Sequence, residues 1–242
     1  MTKLTQVEAA EAAKQLENTT LQEVMKWSIE NFGSRLSLAS SFGLEDVVLI
    51  DMFTKLDPKA RVFTLDTGRL HQETYDVMDK IREKYGISLE AYFPKNDAIE
   101  DIERKHGLNL FYKSPELRIL CCNVRKVEPL KRSLSTVDAW ITGLRREQNP
   151  TRAAIARVEI DAGNGGIVKI NPLAEWTQDQ VWDYIKENEV PFNTLFNAGF
   201  TSIGCAPCTR PTKPGEDPRA GRWWWETGAA KECGLHCNAK KQ

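Results

Sequence analysis

From residue 35 to residue 142, short apolar runs of strand character alternate with helical patterns, and this alternation constrains the fold more than any other feature of the chain. Arg35–Ser40 (RLSLAS), Arg61–Leu65 (RVFTL), Ile87–Phe93 and Ala139–Thr142 (AWIT) read as strands. Between them lie helical patterns over Leu44–Phe53, His71–Tyr85, Ala98–Lys105 and Val124–Ser133. The last begins directly after a cysteine pair and holds Pro129, which is expected to kink or split it. Strands joined through helices are crossover units, so the expected class is α/β, with a mainly parallel sheet flanked by helices.

The flanking segments complete the outline. About Thr5 to Asn31 reads as one helix, with Leu16, Leu21, Val24, Met25 and Trp27 giving an irregular apolar stripe. Val158–Ile170 holds a Gly163-Asn164-Gly165-Gly166 turn and is expected to be a small hairpin. Thr177 should cap a helix over Gln178–Asn188, with Trp182 and Ile185 on its apolar face. From Asn193 onward glycine, proline and cysteine dominate and periodicity vanishes. The 242 residues therefore suggest an α/β domain over 1–192 and a loop-rich cysteine segment over 193–242, forming one structural unit.

The net charge of −1 gives no argument for a nucleic-acid or anionic-membrane partner. The start, MTKLTQVEAAEAAKQLENTT, has no apolar leader, and no run is long and apolar enough to span a bilayer. A cytoplasmic protein with reduced thiols is the expectation.

Chemistry should gather where parallel strands end, because ligands of open α/β sheets bind at the carboxyl edge. Ser40-Ser41-Phe42-Gly43 offers hydroxyls and backbone N–H groups at a helix start, the parts needed for a phosphate or sulfate. An ordinary strand–helix turn would look the same. Leu65-Asp66-Thr67-Gly68 can present backbone to an adenine and a hydroxyl to a ribose or phosphate. Thr142-Gly143 lets a ligand approach closely, and the Arg145, Arg146 and Arg152 that follow suit an anion better than a solvated face.

Six cysteines fall in three places: Cys121-Cys122, Cys205-x-x-Cys208, and Cys233 with Cys237. The first two places supply four thiolates, enough for a tetrahedral metal or an iron–sulfur cluster. Neighbouring residues can rarely aim both sulfurs at one zinc ion, whereas each can take a separate iron of a cubane. The spacing favours a [4Fe–4S] cluster, with zinc as the competitor. Near the end, Arg219-Ala220-Gly221-Arg222 suits bidentate recognition of a doubly charged anion. Trp223-Trp224-Trp225 cannot all be buried on one regular element. Lys231 and His236 flank Cys233, surroundings that favour a nucleophilic thiolate.

Together these motifs resemble the assimilatory adenylyl-sulfate reductases, sulfonucleotide reductases related to the PP-loop (adenine nucleotide alpha hydrolase-like) fold. The resemblance rests on Ser40-Ser41-Phe42-Gly43, Leu65-Asp66-Thr67-Gly68-Arg69, Cys121-Cys122 with Arg125-Lys126, Thr142-Gly143 with Arg145-Arg146, Cys205-x-x-Cys208, Arg219-x-x-Arg222-Trp223 and Glu232-Cys233-Gly234-Leu235-His236. It implies that the Cys233 thiolate attacks the sulfur of adenosine 5′-phosphosulfate, expelling AMP and leaving an S-sulfocysteine. External thioredoxin then releases sulfite. It further implies a [4Fe–4S] cluster on Cys121, Cys122, Cys205 and Cys208 that acts without passing electrons, with Lys126 between cluster and substrate. Arg219, Arg222 and His236 would neutralise the phosphosulfate; Ser40, Ser41, Gly43, Leu65, Thr67, Gly143 and Arg152 would hold the adenylate. A homo-oligomer is implied by analogy.

Two departures stand out. Arg118 occupies a position where some relatives carry histidine, and Cys237 lies outside the usual ECGLH pattern and reads as an incidental thiol. The nearest rival is a reductase of the 3′-phosphorylated substrate, whose relatives usually keep ECGLH but lack the CC and CxxC cysteines; some cluster-bearing relatives accept both nucleotides. An ATP-dependent PP-loop ligase would need an SGGxDS loop where this chain reads SSFGLE. A zinc-stabilised binding module with an inert Cys233 is the non-enzyme rival.

Overall fold

The computed structural model describes residues 4–149 and 152–226. Two N-terminal helices, α1 (Gln6–Leu16) and α2 (Leu21–Phe32), replace the single helix expected over Thr5–Asn31. The break has a local cause. The Thr20 hydroxyl accepts a hydrogen bond from the Glu23 backbone while the Glu23 carboxylate accepts one from the Thr20 N–H, a reciprocal cap that starts a new helix. Thr5 and Glu8 start α1 in the same way.

Strand β1 (Leu36–Ser40), helix α3 (Leu44–Leu56), strand β2 (Val62–Leu65), helix α4 (Gln72–Tyr85), strand β3 (Leu89–Tyr92) and helix α5 (Asn96–His106) follow. Next come α6 (Pro115–Cys122), α7 (Glu128–Leu134), β4 (Ala139–Ile141), the hairpin β5 (Val158–Asp161) and β6 (Ile167–Ile170), and α8 (Gln178–Glu187). The six strands lie in the order β3-β2-β1-β4-β6-β5. β1 pairs in parallel with β2 and β4, with Ala39 opposite Phe63 and Leu38 opposite Ile141. β6 joins β4 in parallel, while β5, the hairpin arm, runs antiparallel to β6. The expected mainly parallel α/β sheet is thus present.

One segment differs from expectation. The helix placed over Val124–Ser133, after the cysteine pair, instead begins earlier: Pro115 opens α6 behind a Ser114 cap, and Cys121-Cys122 end it. A π-helical turn, Asn123–Val127, links α6 to α7. Pro129 stands inside this continuous helical run, two residues after the π-helical turn that interrupts its regular i→i−4 bonding.

The chain divides into two compact units. The first comprises the described residues up to Thr64, Val77–Glu90 and Leu134–Phe192; the second comprises Leu65–Asp76, Ala91–Ser133 and the described residues from Asn193. The core of the first unit centres on α3, where Val47, Val48, Leu49 and Ile50 are all fully buried, as expected of a helix apolar on all sides. Asp51, buried in that helix, accepts hydrogen bonds from Lys55, Tyr85 and Tyr184 and so ties α3 to α4 and α8. The second unit packs Ile102, Leu110, Phe111 and Trp223 around Cys121, Cys205 and Cys208. Of the three tryptophans, Trp223 is buried and Trp224 is half exposed.

Candidate functional site

In the second unit, one cavity is lined by Cys121, Cys122, Cys205 and Cys208 together with Arg69, Arg118, Arg125 and Lys126. Helical spacing accounts for half of that set. Cys121 and Arg125, and Cys122 and Lys126, are four residues apart, so each pair shares a helix face. The other thiols arrive on the Cys205–Cys208 turn. That turn is fixed by bonds from the Ala206 N–H to the Arg69 carbonyl and from the Cys208 N–H to the Cys205 carbonyl. The Trp223 N–H donates to the Cys208 carbonyl. The Thr67 hydroxyl, read from sequence as a nucleotide contact, lies 3.3 Å from the Cys205 sulfur.

The electrostatics of the cavity are lopsided. Three guanidiniums and an ammonium face it, while the nearby carboxylates are committed: Glu103 to Arg69 and Arg125, Glu226 to Arg118. Arg125 also donates to the Thr67 carbonyl at 2.7 Å, yet its buried Nε has no hydrogen-bond partner. Burial pushes the Cys208 thiol up to about 12, and raises Cys121 against the pull of Arg125. Left alone, such thiols are neutral, and two carboxylates set against four cations leave the cavity wall net positive. An anionic tetrathiolate group answers both conditions. Among the described residues no three His, Cys, Asp or Glu side chains converge tightly enough to hold a single metal ion.

The first unit carries two of the strand-end loops. At Ser40–Gly43, Phe42 adopts a left-handed conformation (φ 59°), and the Ser40 Oγ accepts from the Phe42 N–H. The Ser41 N–H and hydroxyl both donate to Asp46 Oδ2, at 2.6 and 2.8 Å. Asp46 is not among the residues expected from the sequence. Its burial raises its pKa to about 6, against the Ser41 hydrogen bonds that lower it. A side chain at Gly143 would meet Asp46 Oδ1 at 2.5 Å and the Glu45 Cβ at 2.9 Å. The missing Cβ therefore admits the first turn of α3, where the sequence suggested room for a ligand.

The expected arginines divide. Arg145 is buried and bonds Glu45, Glu147, Gln178 and the Trp176 carbonyl; Arg146 bonds Glu17, Glu175 and the Ile155 carbonyl. The four anions these two arginines meet are the protein's own carboxylates, where the sequence suggested an external anion. Arg152 donates to Gln148. Leu65 closes β2 half-buried. In the second unit Arg219 is half-buried. Arg222 is buried against Gly204, donating to Ser202 and the Ile203 carbonyl while lying over Trp223. Cys233, His236 and Cys237 lie outside the described residues. Among the residues that sequence reasoning left without a role, Arg125 and Arg69 carry a signal in their spacing from cysteine and from the Asp66-Thr67-Gly68 turn. Asp46 has only its place at a helix start.

An open, mainly parallel α/β sheet, in a chain that also builds a thiol cavity ringed by cations, defines the class of protein. Residues 35–211 match the phosphoadenosine phosphosulfate reductase domain. An adenosine 5′-phosphosulfate reductase of Allochromatium vinosum is 52% identical over 198 residues, 82% of this chain and 77% of the relative. One of Burkholderia cepacia is 50% identical over 202 residues, 84% of this chain and 80% of that one. Among solved structures, phosphoadenylyl-sulfate reductase from Candida auris, in a phosphate complex, superposes with TM-score 0.75 at 33% identity, covering 86% of this chain and 99% of that chain. The chain belongs to the phosphoadenosine phosphosulfate reductase family.

Proposed function

We propose that this chain reduces adenosine 5′-phosphosulfate to sulfite and AMP in assimilatory sulfate reduction, with thioredoxin as external reductant. The observation that carries the proposal is the convergence of four cysteines, from two distant stretches of sequence, on one cation-ringed cavity. The similarity to curated adenosine 5′-phosphosulfate reductases supports the choice of substrate.

In this reading Cys121, Cys122, Cys205 and Cys208 hold a [4Fe–4S] cluster. When bound, it would supply a fixed electrostatic field. Arg69, Arg118, Arg125 and Lys126 balance its charge, with Lys126 placed to serve the substrate as well. The Cys233 thiolate attacks the sulfate sulfur: an S–S bond forms, the S–O bond to AMP breaks, and AMP leaves with the electron pair. Arg219, Arg222 and His236 offset the charge that develops. A thioredoxin thiolate then attacks the Cys233 sulfur and sulfite departs; the second thioredoxin thiol closes a disulfide, so two electrons pass from thioredoxin to sulfur. Ser40, Ser41, Gly43, Leu65, Thr67, Gly143 and Arg152 are assigned to the adenylate. The protein acts as a homo-oligomer in the cytoplasm. Among the described residues, no helix is long and apolar enough to cross a membrane.

The likeness to a phosphoadenylyl-sulfate reductase keeps the 3′-phosphorylated nucleotide as the second reading. Sulfite release by anaerobically reconstituted protein, with thioredoxin and either nucleotide, decides between them. Strong preference for the unphosphorylated form supports the proposal; equal turnover makes the enzyme dual-specific; preference for the 3′-phosphorylated form overturns the substrate assignment.

A further inference from the structure

Arg118, on α6, has an unusual set of partners. Its guanidinium makes a two-pronged ion pair with Glu226, Nε to Oε1 at 2.9 Å and Nη2 to Oε2 at 3.0 Å. Both side chains are buried, at 9% and 7% exposure. The same guanidinium lies 4.5 Å from the centre of the Trp223 ring, lines the thiol cavity and hydrogen-bonds the Cys122 side chain.

The chain that carries Glu226 is anchored from its other side as well. The Glu226 N–H donates to the Trp223 carbonyl, and the Trp223 N–H donates to the Cys208 carbonyl. The stretch 222–226 therefore reaches both cysteine pairs, directly at Cys208 and through Arg118 at Cys122. Glu226 stands seven residues before Cys233 in the sequence.

We propose that the Arg118–Glu226 pair is a clasp that fixes the stretch 222–226 against the wall of the thiol cavity, making Glu226 a positioning residue for the reaction at Cys233. The inference rests on the function proposed above. A carboxylate free in solvent would leave the stretch 222–226 without that hold. A buried fork on a guanidinium held by an aromatic face leaves it one geometry. Because the same guanidinium forms part of the cavity wall, opening the clasp loosens both the wall and the stretch 222–226.

The test uses the iron-loaded full chain with Glu226→Gln, which keeps the shape and removes the charge, and Glu226→Asp, which keeps the charge. Three quantities are read: iron release to a chelator, AMP affinity, and the rate at which Cys233 gains the sulfo group from adenosine 5′-phosphosulfate, by mass spectrometry. The clasp predicts that Glu226→Gln releases iron about tenfold faster and forms the adduct about tenfold more slowly, about 1.4 kcal/mol in the barrier. AMP affinity stays unchanged, and Glu226→Asp recovers part of both rates. Unchanged iron release and adduct formation in Glu226→Gln overturn the clasp. So does a fall in AMP affinity that matches the fall in adduct rate, which would mean general loosening. If the unsubstituted protein forms no adduct while Glu226→Gln still speeds iron release, the proposed function fails and the hold on the cavity wall stands.

Discussion

The Thr67 hydroxyl lies 3.3 Å from the Cys205 sulfur, which makes the turn after β2 part of the thiol cavity. The same residue's carbonyl accepts from Arg125, so Thr67 joins the sulfur and cation sides of the site. Groups that orient a metal ligand from behind commonly tune affinity by tenfold or more. On the cluster ligation proposed above, Thr67→Val should release iron about tenfold faster in a chelator assay while leaving the fold intact by circular dichroism. An unchanged release rate would remove Thr67 from the support of the cavity.

Asp46 provides a pH-dependent prediction. Its folded pKa of about 6 lies above the ordinary 3.8, so between those values the folded protein holds a proton that the unfolded chain has lost. That stabilisation is fully present below about pH 4 and is lost as pH rises through about 6. The raised pKa makes it worth roughly 3 kcal/mol across that window. Asp46→Asn keeps an oxygen for Ser41 and removes the titration. Denaturant unfolding of both proteins should show the variant gaining on the unsubstituted protein between about pH 4 and pH 7. A difference that stays flat over the range would contradict the assignment.

Gly143 is filled from the other side by Asp46 and Glu45. An added methyl must displace the first turn of α3, at a cost of about 1–3 kcal/mol. Gly143→Ala should lower the thermal midpoint accordingly. A variant as stable as the parent would show that the loop has room to spare.

Arg145 sits at 3% side-chain exposure between Glu45 and Glu147. Its removal leaves Glu45 without its partner in a largely buried site. Arg145→Met is expected to cost about 3 kcal/mol of unfolding free energy. If it weakened AMP binding with no loss of stability, the arginine would be a ligand contact after all.

The sheet is legible in the sequence because strand and helix periods differ and four strand-like runs alternate with helices. The cut between α1 and α2 hides in Thr20-x-x-Glu23, whose reciprocal cap outweighs the continuous apolar stripe around it. The start of α6 is hard to read because Pro-Glu-Leu-Arg-Ile-Leu-Cys-Cys is short and ends in two cysteines, which are weak helix formers. Cys121, Cys122, Cys205, Cys208 and Lys126 are readable from type and spacing, and one cavity holds them all. The Arg145-Arg146 run misleads because an arginine's partner can lie 100 residues away, as Glu45 does for Arg145. The same problem hides the 108-residue step from Arg118 to Glu226.

The most direct test of the central claim is the mass of Cys233 after anaerobic incubation with adenosine 5′-phosphosulfate. The account predicts a gain of one sulfo group on Cys233, absent in Cys233→Ser and discharged as sulfite by reduced thioredoxin. A protein fully loaded with iron that binds the nucleotide, leaves Cys233 unmodified and yet releases sulfite would contradict it.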